Sequence, residues 1–166
     1  MTLLEIALTH LKRELRNVSA HKLGDYSIFG STALILRGII DRVPGDIDVF
    51  VSHRVWGALL PDRRWWVETP NAGDPPILSF KSDINLNLFF AWRDDMVEID
   101  ATKLIEQDSE LVTSERYGSW RCATVEEVLR HKEAALSYGS PAVQKHRSDI
   151  QACRIHLGLA RVEDAE

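Results

Sequence analysis

The segment of residues 28–51 constrains the fold of this chain more than any other stretch, because two short polar motifs interrupt its apolar runs. It reads IFGSTALILRGIIDRVPGDIDVFV. The apolar run that ends at Gly30 is typical of a strand, and Ser31 is a good N-cap residue in front of helix-forming residues. Pro-Gly at 44–45 then predicts a turn before a strand rich in β-branched residues. The segment therefore predicts the order strand, turn, helix, turn, strand.

Asp46 and Asp48 lie two positions apart on the second of these strands. Alternate residues of a strand point to the same face of a sheet, so both carboxylates are expected to project together. Two adjacent negative charges repel each other unless a cation lies between them, and Mg²⁺ commonly binds through one or two carboxylates together with substrate phosphates. The alternative is that Asp46 only caps the Pro-Gly turn and that Asp48 faces solvent.

Gly30 and Ser31 form the other polar motif of the segment. A glycine at the end of a strand lets the backbone approach a ligand closely, and the free N–H groups at the start of a helix favour a phosphate. The hydroxyl of Ser31 can cap the helix and also donate to that phosphate. Helix capping alone is the alternative explanation for this pair.

The two motifs occur in a fixed order. The chain has FGSTALILRG followed by PGDIDVFV, with 15 residues from the serine to the first aspartate, and this arrangement resembles the signature of the DNA polymerase β-like nucleotidyltransferases. The resemblance implies that Gly30 and Ser31 hold the triphosphate of an NTP substrate and that Asp46 and Asp48 bind the metal ion, Mg²⁺ or Mn²⁺. It also implies a nucleotidyltransferase fold, similar to the palm of polymerase β.

The rest of the chain predicts an α+β domain with a mixed or antiparallel sheet flanked by helices. Sequential short strands of this kind usually pair antiparallel. Thr124 begins a capping-box spacing, and Ser140 with Pro141 is typical of the start of a last helix. We expect a single domain over 1–166 with its core in 20–102. The predicted helices are 2–17, 55–61, 124–136 and 140–160, the predicted strands are 77–82, 84–92 and 96–101, and the C-terminal helices together span 124–160.

The C-terminal part of the chain contains EEVLRHKEAAL and then QKHRSDI. These segments resemble the C-terminal helices of a small bacterial and phage branch of the same family, which includes antitoxins and abortive-infection toxins. The resemblance implies that Lys132 and Asp149 belong to the active site as catalytic residues and that Lys145 binds phosphate. The alternative is that the two lysines are surface charges on amphipathic helices.

The sequence departs from the family pattern at the third carboxylate of the site. Many members place an aspartate on a later strand as a further metal ligand, and Asn87 occupies the best-matching position here. An amide oxygen can bind a metal, but it brings no charge and cannot take a proton from an attacking hydroxyl. Asp83 and Asp100 flank neighbouring strands and are candidates to replace it.

Composition limits the partners of the chain. Its formal net charge of −5 argues against a protein that coats nucleic acid, although residues 128–161 hold six basic side chains against two acidic ones. No apolar run approaches the length of a membrane span, so we expect a cytoplasmic protein without a membrane partner. Cys122 and Cys153 lack metal-binding or disulfide spacing and are expected to be reduced. Trp65 and Trp66 are expected to serve packing more than base stacking.

The leading hypothesis is a Mg-dependent nucleotidyltransferase that transfers a nucleoside monophosphate from an NTP to an acceptor. The acceptor stays open among RNA such as tRNA, a protein and a small molecule, because no motif specifies it. The alternative is a catalytically weak or inactive protein of the same fold that acts by binding, as an antitoxin or phage accessory factor with a toxin–antitoxin partner protein. The amide at Asn87 motivates this alternative.

Overall fold

The computed structural model describes residues 1–94, 97–137 and 143–164, so the predicted helix start at Ser140 and Pro141 lies outside the described residues. The helices are α1 (Leu3–Asn17), α2 (Ala20–Leu23), α3 (Gly30–Leu36), α4 (His53–Leu59), α5 (Ala101–Gln107), α6 (Val125–Ser137) and α7 (Val143–His156), with a 3₁₀ turn at Val162–Asp164. The strands are β1 (Tyr26–Phe29), β2 (Asp46–Val51), β3 (Trp66–Glu68), β4 (Ile77–Phe80), β5 (Asn85–Phe89), β6 (Ala91–Arg93), β7 (Glu98–Asp100), β8 (Ser109–Ser114) and β9 (Gly118–Ala123).

Seven strands form one mixed sheet in the order β3-β4-β5-β2-β1-β9-β8. The central strand β2 pairs antiparallel with β1 and parallel with β5, while β1 pairs parallel with β9. The other neighbours are antiparallel, and β6 and β7 form a separate two-stranded antiparallel sheet. The α+β class with a mixed sheet and flanking helices is therefore as predicted.

Several elements differ from the sequence-based expectation. The predicted strand 84–92 is two strands, β5 and β6, which belong to different sheets. The hairpin β8–β9 and the helix α5 occur where the sequence predicted no element. The signal of β8 was weak because Val112 is its only buried position, and Ala101, the first residue of α5, fell within a predicted strand.

Alternation along β2 and β5 separates an apolar face of the sheet from a polar one. Ile47, Val49, Leu86 and Leu88 are all at most 1% exposed, and polar side chains occupy the positions between them. Because register shifts of one residue would expose every one of these apolar side chains, the burial pattern fixes how the two strands pair. The polar residues of both strands consequently share one face.

Helix α1 illustrates how the flanking helices are built. Thr2 and Glu5 form a reciprocal capping box at its start, which satisfies N–H groups that the helix leaves unpaired. Leu11 and Leu15 are fully buried, as expected for the apolar stripe of an amphipathic helix. Among the described residues, no helix has the length and apolar character needed to cross a bilayer.

The two cysteines are free and buried. Burial raises the pKa of Cys122 to about 12 and that of Cys153 to about 11. Thiols with such pKa values carry almost no thiolate at neutral pH, so both side chains act as small apolar residues of the core.

Candidate active site

Asp46 and Asp48 lie on β2, where the sequence placed them, and they project from the polar face of the sheet. The ladder pairs Asp46 with Asn85 and Asp48 with Asn87, and residues directly opposite each other in a ladder share a face. Asp46 is exposed, whereas Asp48 is partly buried. The two carboxylates are therefore neighbours on one surface, with one of them largely withdrawn from water.

Asn87 lies beside this pair. Its Nδ2 donates to Asp48 Oδ1 at 3.2 Å and to Asp46 Oδ2 at 3.5 Å, while Ser79 Oγ donates to Asn87 Oδ1 at 2.9 Å. The amide nitrogen thus partly neutralises the pair by hydrogen bonding. A hydroxyl can accept as well as donate, so Ser79 would also satisfy the amide if Asn87 turned its oxygen toward the carboxylates.

The local electrostatics leave Asp48 poorly compensated. Burial, and next the charge of Asp46, raise the pKa of Asp48 from 3.8 to about 7. The hydrogen bond from Asn87 and the positive charges of Lys145 and Lys132 act in the opposite direction without cancelling that rise. A carboxylate pair of this kind gains stability from a cation placed between its oxygens.

Gly30 brings the start of α3 against the aspartate pair. Its φ is +65°, a left-handed conformation that L residues with a side chain rarely adopt. A Cβ at this position would lie 3.6 Å from Asp48 Oδ2, so a larger side chain would fill the space above that carboxylate. The Gly-Ser motif and the Asp-x-Asp motif therefore meet in space, as the resemblance implied.

Ser31 does not cap α3, contrary to the expectation from sequence. The N-cap position is Phe29, which offers no side-chain cap, because the left-handed Gly30 starts the helix one residue earlier. The Ser31 hydroxyl instead accepts from Arg42 at 2.7 Å and from Lys132 Nζ at 3.3 Å. The Ser31 hydroxyl therefore binds two cationic side chains.

Asp149, on α7, contacts the same two cationic side chains. Its Oδ2 lies 2.8 Å from Lys132 Nζ and 2.5 Å from an Arg42 nitrogen, and it accepts from Ser31 Oγ at 3.2 Å. The side chains of Asp149 and Lys132 are 2% and 5% exposed. We refer to Ser31, Arg42, Lys132 and Asp149 as the cationic cluster, since two cations surround one carboxylate.

The protonation of the cluster follows from these contacts. Burial by itself would raise the pKa of Asp149, but the hydrogen bonds and charges of Lys132 and Arg42 outweigh it and lower that pKa. Burial lowers the pKa of Lys132, and Asp149 opposes this effect. The carboxylate of Asp149 is thus held ionised between the two cations.

Sequence reasoning missed Arg42. It lies in the turn between α3 and β2, where a single basic residue between the two motifs gives no local indication of a function. Lys145, in contrast, lies exposed on α7, and its charge reaches Asp48. His131, beside Lys132 in sequence, packs edge-on against Phe29, and burial lowers its pKa to about 4. It is neutral at pH 7.

The donor set suits a hard divalent cation only in part. Asp46 and Asp48 supply carboxylate oxygens on one face, and Asn87 adds an amide, which matches the preference of Mg²⁺ for a few protein oxygens completed by phosphates and water. Within the described residues, no group of three or more His, Cys, Asp or Glu side chains is placed to hold a metal. Asp83 is exposed, and Asp100 caps α5 through Lys103 N at 3.0 Å.

Comparison with known proteins supports the fold. By sequence, the chain matches no protein-family model and no curated protein. By structure, it is similar to ANT(2'')-Ia in complex with adenylyl-2''-tobramycin, with a TM-score of 0.64, 19% identity and coverage of 96% of this chain and 94% of that one. It is also similar to the solution structure of the antibiotic-resistance factor ANT(2'')-Ia, with a TM-score of 0.66, 17% identity and coverage of 99% and 90%. The chain therefore has the nucleotidyltransferase fold.

Proposed function

We propose that the protein transfers a nucleoside monophosphate from an NTP to a hydroxyl acceptor and releases pyrophosphate. The observation that carries this proposal is the proximity of the two sequence motifs: a Cβ on Gly30 would lie 3.6 Å from Asp48 Oδ2, and the next residue, Ser31, belongs to the cationic cluster. The charge of Lys132, in the same cluster, acts on Asp48. Cations next to a carboxylate pair are the combination that a metal-bound triphosphate requires. One of the solved structures of similar fold is a complex with adenylyl-2''-tobramycin, a compound that carries an adenylyl group.

Each group of residues has a distinct role in this proposal. Asp46 and Asp48, with the amide of Asn87, would hold the divalent ion, which when bound neutralises phosphate charge and orients the reacting phosphoryl group. Arg42 and Lys145 would bind the outer phosphates. Lys132 and Asp149 keep Arg42 and the Ser31 hydroxyl in position, because their buried ion pair anchors α7 against α6.

Arg42 supplies the first test. Replacing it with alanine should weaken the binding of ATP in the presence of Mg²⁺ by about 10- to 100-fold, because a charge-assisted hydrogen bond to phosphate contributes about 1.5–3 kcal/mol. Isothermal titration calorimetry measures this change. The control is Arg54→Ala, which removes the same charge from an arginine that is half exposed and paired with Asp25. Equal affinities of Arg42→Ala and wild type, or no ATP binding by wild type, would contradict the proposal.

Asn87 favours a second candidate function, nucleotide binding without efficient transfer. Its amide donates to both aspartates and cannot remove a proton from an attacking hydroxyl. This candidate predicts that the wild type binds ATP with Mg²⁺ but forms no pyrophosphate with any acceptor. A sensitive pyrophosphate assay on protein that has been shown to bind ATP separates the two functions.

The substitution Asn87→Asp tests the role of the third position. A third carboxylate should lower the thermal stability of the protein in EDTA through like-charge repulsion, and it should tighten Mg²⁺ binding at least about ten-fold. Thermal unfolding at a series of Mg²⁺ concentrations measures both effects. Asn71→Asp, which adds the same charge on an exposed loop, should change neither. An Asn87→Asp protein with unchanged Mg²⁺ affinity would exclude Asn87 from the metal site.

A further inference from the structure

The two adjacent tryptophans of the chain have different environments. Trp65 is 5% exposed and packs its ring 5.5 Å from that of Phe80. Trp66, the first residue of the edge strand β3, is 65% exposed. The packing role expected for the pair therefore accounts for Trp65 and leaves the indole of Trp66 on the surface.

The register of the sheet places Trp66 in one row with two of the candidate metal ligands. Trp66 pairs with Ser79, Ser79 with Asn87, and Asn87 with Asp48. Directly opposite residues share a face, so the indole lies on the same face as the carboxylates. Three strand spacings of about 4.8 Å put its backbone about 14 Å from that of Asp48.

This row extends away from the cationic cluster. The sheet order places β1, which leads into α3 and the cluster, on one side of β2, and it places β5, β4 and β3 on the other. In an in-line phosphoryl transfer, the attacking oxygen approaches opposite to the leaving phosphates. If the cluster binds the outer phosphates, the acceptor approaches over β5 and β4.

The charge on this side of the site opposes a polyanion. Glu68, on the same face as Trp66, forms an ion pair with Lys81 at 2.6 Å, so each cancels the charge of the other. Residues 61–84 carry four acidic and three basic side chains, and the exposed Asp46 lies on the same face of β2 as Asp48, two residues before it. A small cation is attracted here, whereas a nucleic-acid backbone finds no excess of positive charge.

We propose that Trp66 forms the floor of an acceptor subsite for a small, cationic, ring-containing compound, whose hydroxyl reaches the row at Asn87. An indole face binds cations and the C–H face of a ring, and it suits a ligand that spans the row from β3 toward β5. This subsite rests on the proposed transfer function, because the in-line geometry of the transfer is the reason to place the acceptor over β5 and β4. It specifies the acceptor class that no sequence motif identified.

The test uses two cationic ring compounds of different shape, tobramycin and lincomycin, titrated into the full chain by calorimetry. We expect at least one to bind, with affinity reduced about ten-fold or more in Trp66→Ala. The matched control is Val67→Ala, the next residue of β3, which is 53% exposed and pairs with the buried Leu78 on the opposite face. Its affinity should equal that of wild type.

Several outcomes would contradict the proposed subsite, including binding of another kind of ligand to this surface. Failure of both compounds to bind, or equal binding by wild type and Trp66→Ala, would overturn the subsite. So would Trp66-dependent binding of a ten-nucleotide adenine RNA, or a dimer that sedimentation detects in wild type and not in Trp66→Ala. ATP binding with Mg²⁺ is measured on the same samples: its absence in wild type refutes the transfer function, whereas wild type that binds ATP but neither compound refutes only the subsite.

Discussion

Asp48→Asn is expected to increase the stability of the metal-free protein at pH 8 by about 1–3 kcal/mol and to abolish ATP binding that depends on Mg²⁺. The wild-type carboxylate is partly buried beside Asp46, and its pKa is raised to about 7. A raised pKa means that the folded state disfavours the ionised form, by about 1.4 kcal/mol for a tenfold change in the acid dissociation constant, and contact with solvent reduces the effect. An asparagine keeps the shape and removes the repulsion. A gain in stability with a loss of binding is typical of a functional site.

The pH dependence has a defined sign. In the unfolded chain Asp48 ionises near its ordinary pKa of 3.8, whereas in the folded protein it ionises near 7, so the wild type loses stability as pH rises through this interval. The advantage of Asp48→Asn should therefore be near zero at pH 4 and complete at pH 8. Urea unfolding in EDTA at both pH values measures it. The control Asp83→Asn removes an exposed carboxylate and should show no such difference, and a variant less stable than wild type at pH 8 would contradict the expectation.

Asp149→Asn is expected to cost about 3–5 kcal/mol of unfolding free energy, because it leaves the buried ammonium of Lys132 without its counter-charge. The carboxylate is the shared partner of Lys132 and Arg42, and an amide cannot balance either charge. Urea denaturation at pH 7, where Asp149 of the wild type is ionised, gives the difference directly.

Helices α6 and α7, which carry Lys132 and Asp149, also contain a matched control for this prediction. Glu133 on α6 and Arg154 on α7 form an ion pair at 2.8 Å, but their side chains are 43% and 45% exposed. Glu133→Gln should therefore cost no more than about 1 kcal/mol, since exposed pairs contribute little. Similar losses of unfolding free energy for Asp149→Asn and Glu133→Gln would show that burial does not increase the contribution of the Asp149–Lys132 pair to stability.

Much of the candidate site was predictable because its parts are local. The period-two alternation of a strand places Asp46 and Asp48 on one face regardless of what surrounds them. The elements of residues 28–51 follow from turn and strand signals, and the structure contains β1, α3 and β2 in that order. Only the capping role of Ser31 was wrong, because the left-handed Gly30 starts the helix one residue earlier.

Local sequence could not place the residues that complete the site. Arg42 contacts Asp149 across 107 positions of the chain, and Asn87 contacts Asp48 across 39. Such contacts depend on the parallel pairing of β2 with β5 and on the packing of α7, and the energies of both come from burial of apolar side chains far apart in sequence. The parallel pairing of β1 with β9 also joins segments far apart in sequence, and it was not predicted for the same reason.

The sequence by itself determined that the chain has a Gly-Ser turn, a helix and an Asp-x-Asp strand, since each depends on the φ, ψ and side-chain period of a few consecutive residues. Tertiary structure alone decided which side chains face the aspartates. In the folded chain Asn87 donates to Asp48, and Arg42 pairs with the buried carboxylate of Asp149. Of the two adjacent tryptophans, Trp65 is buried in the core and Trp66 is exposed on the surface. Register and packing made these choices, because they fix which residues of distant segments share a face.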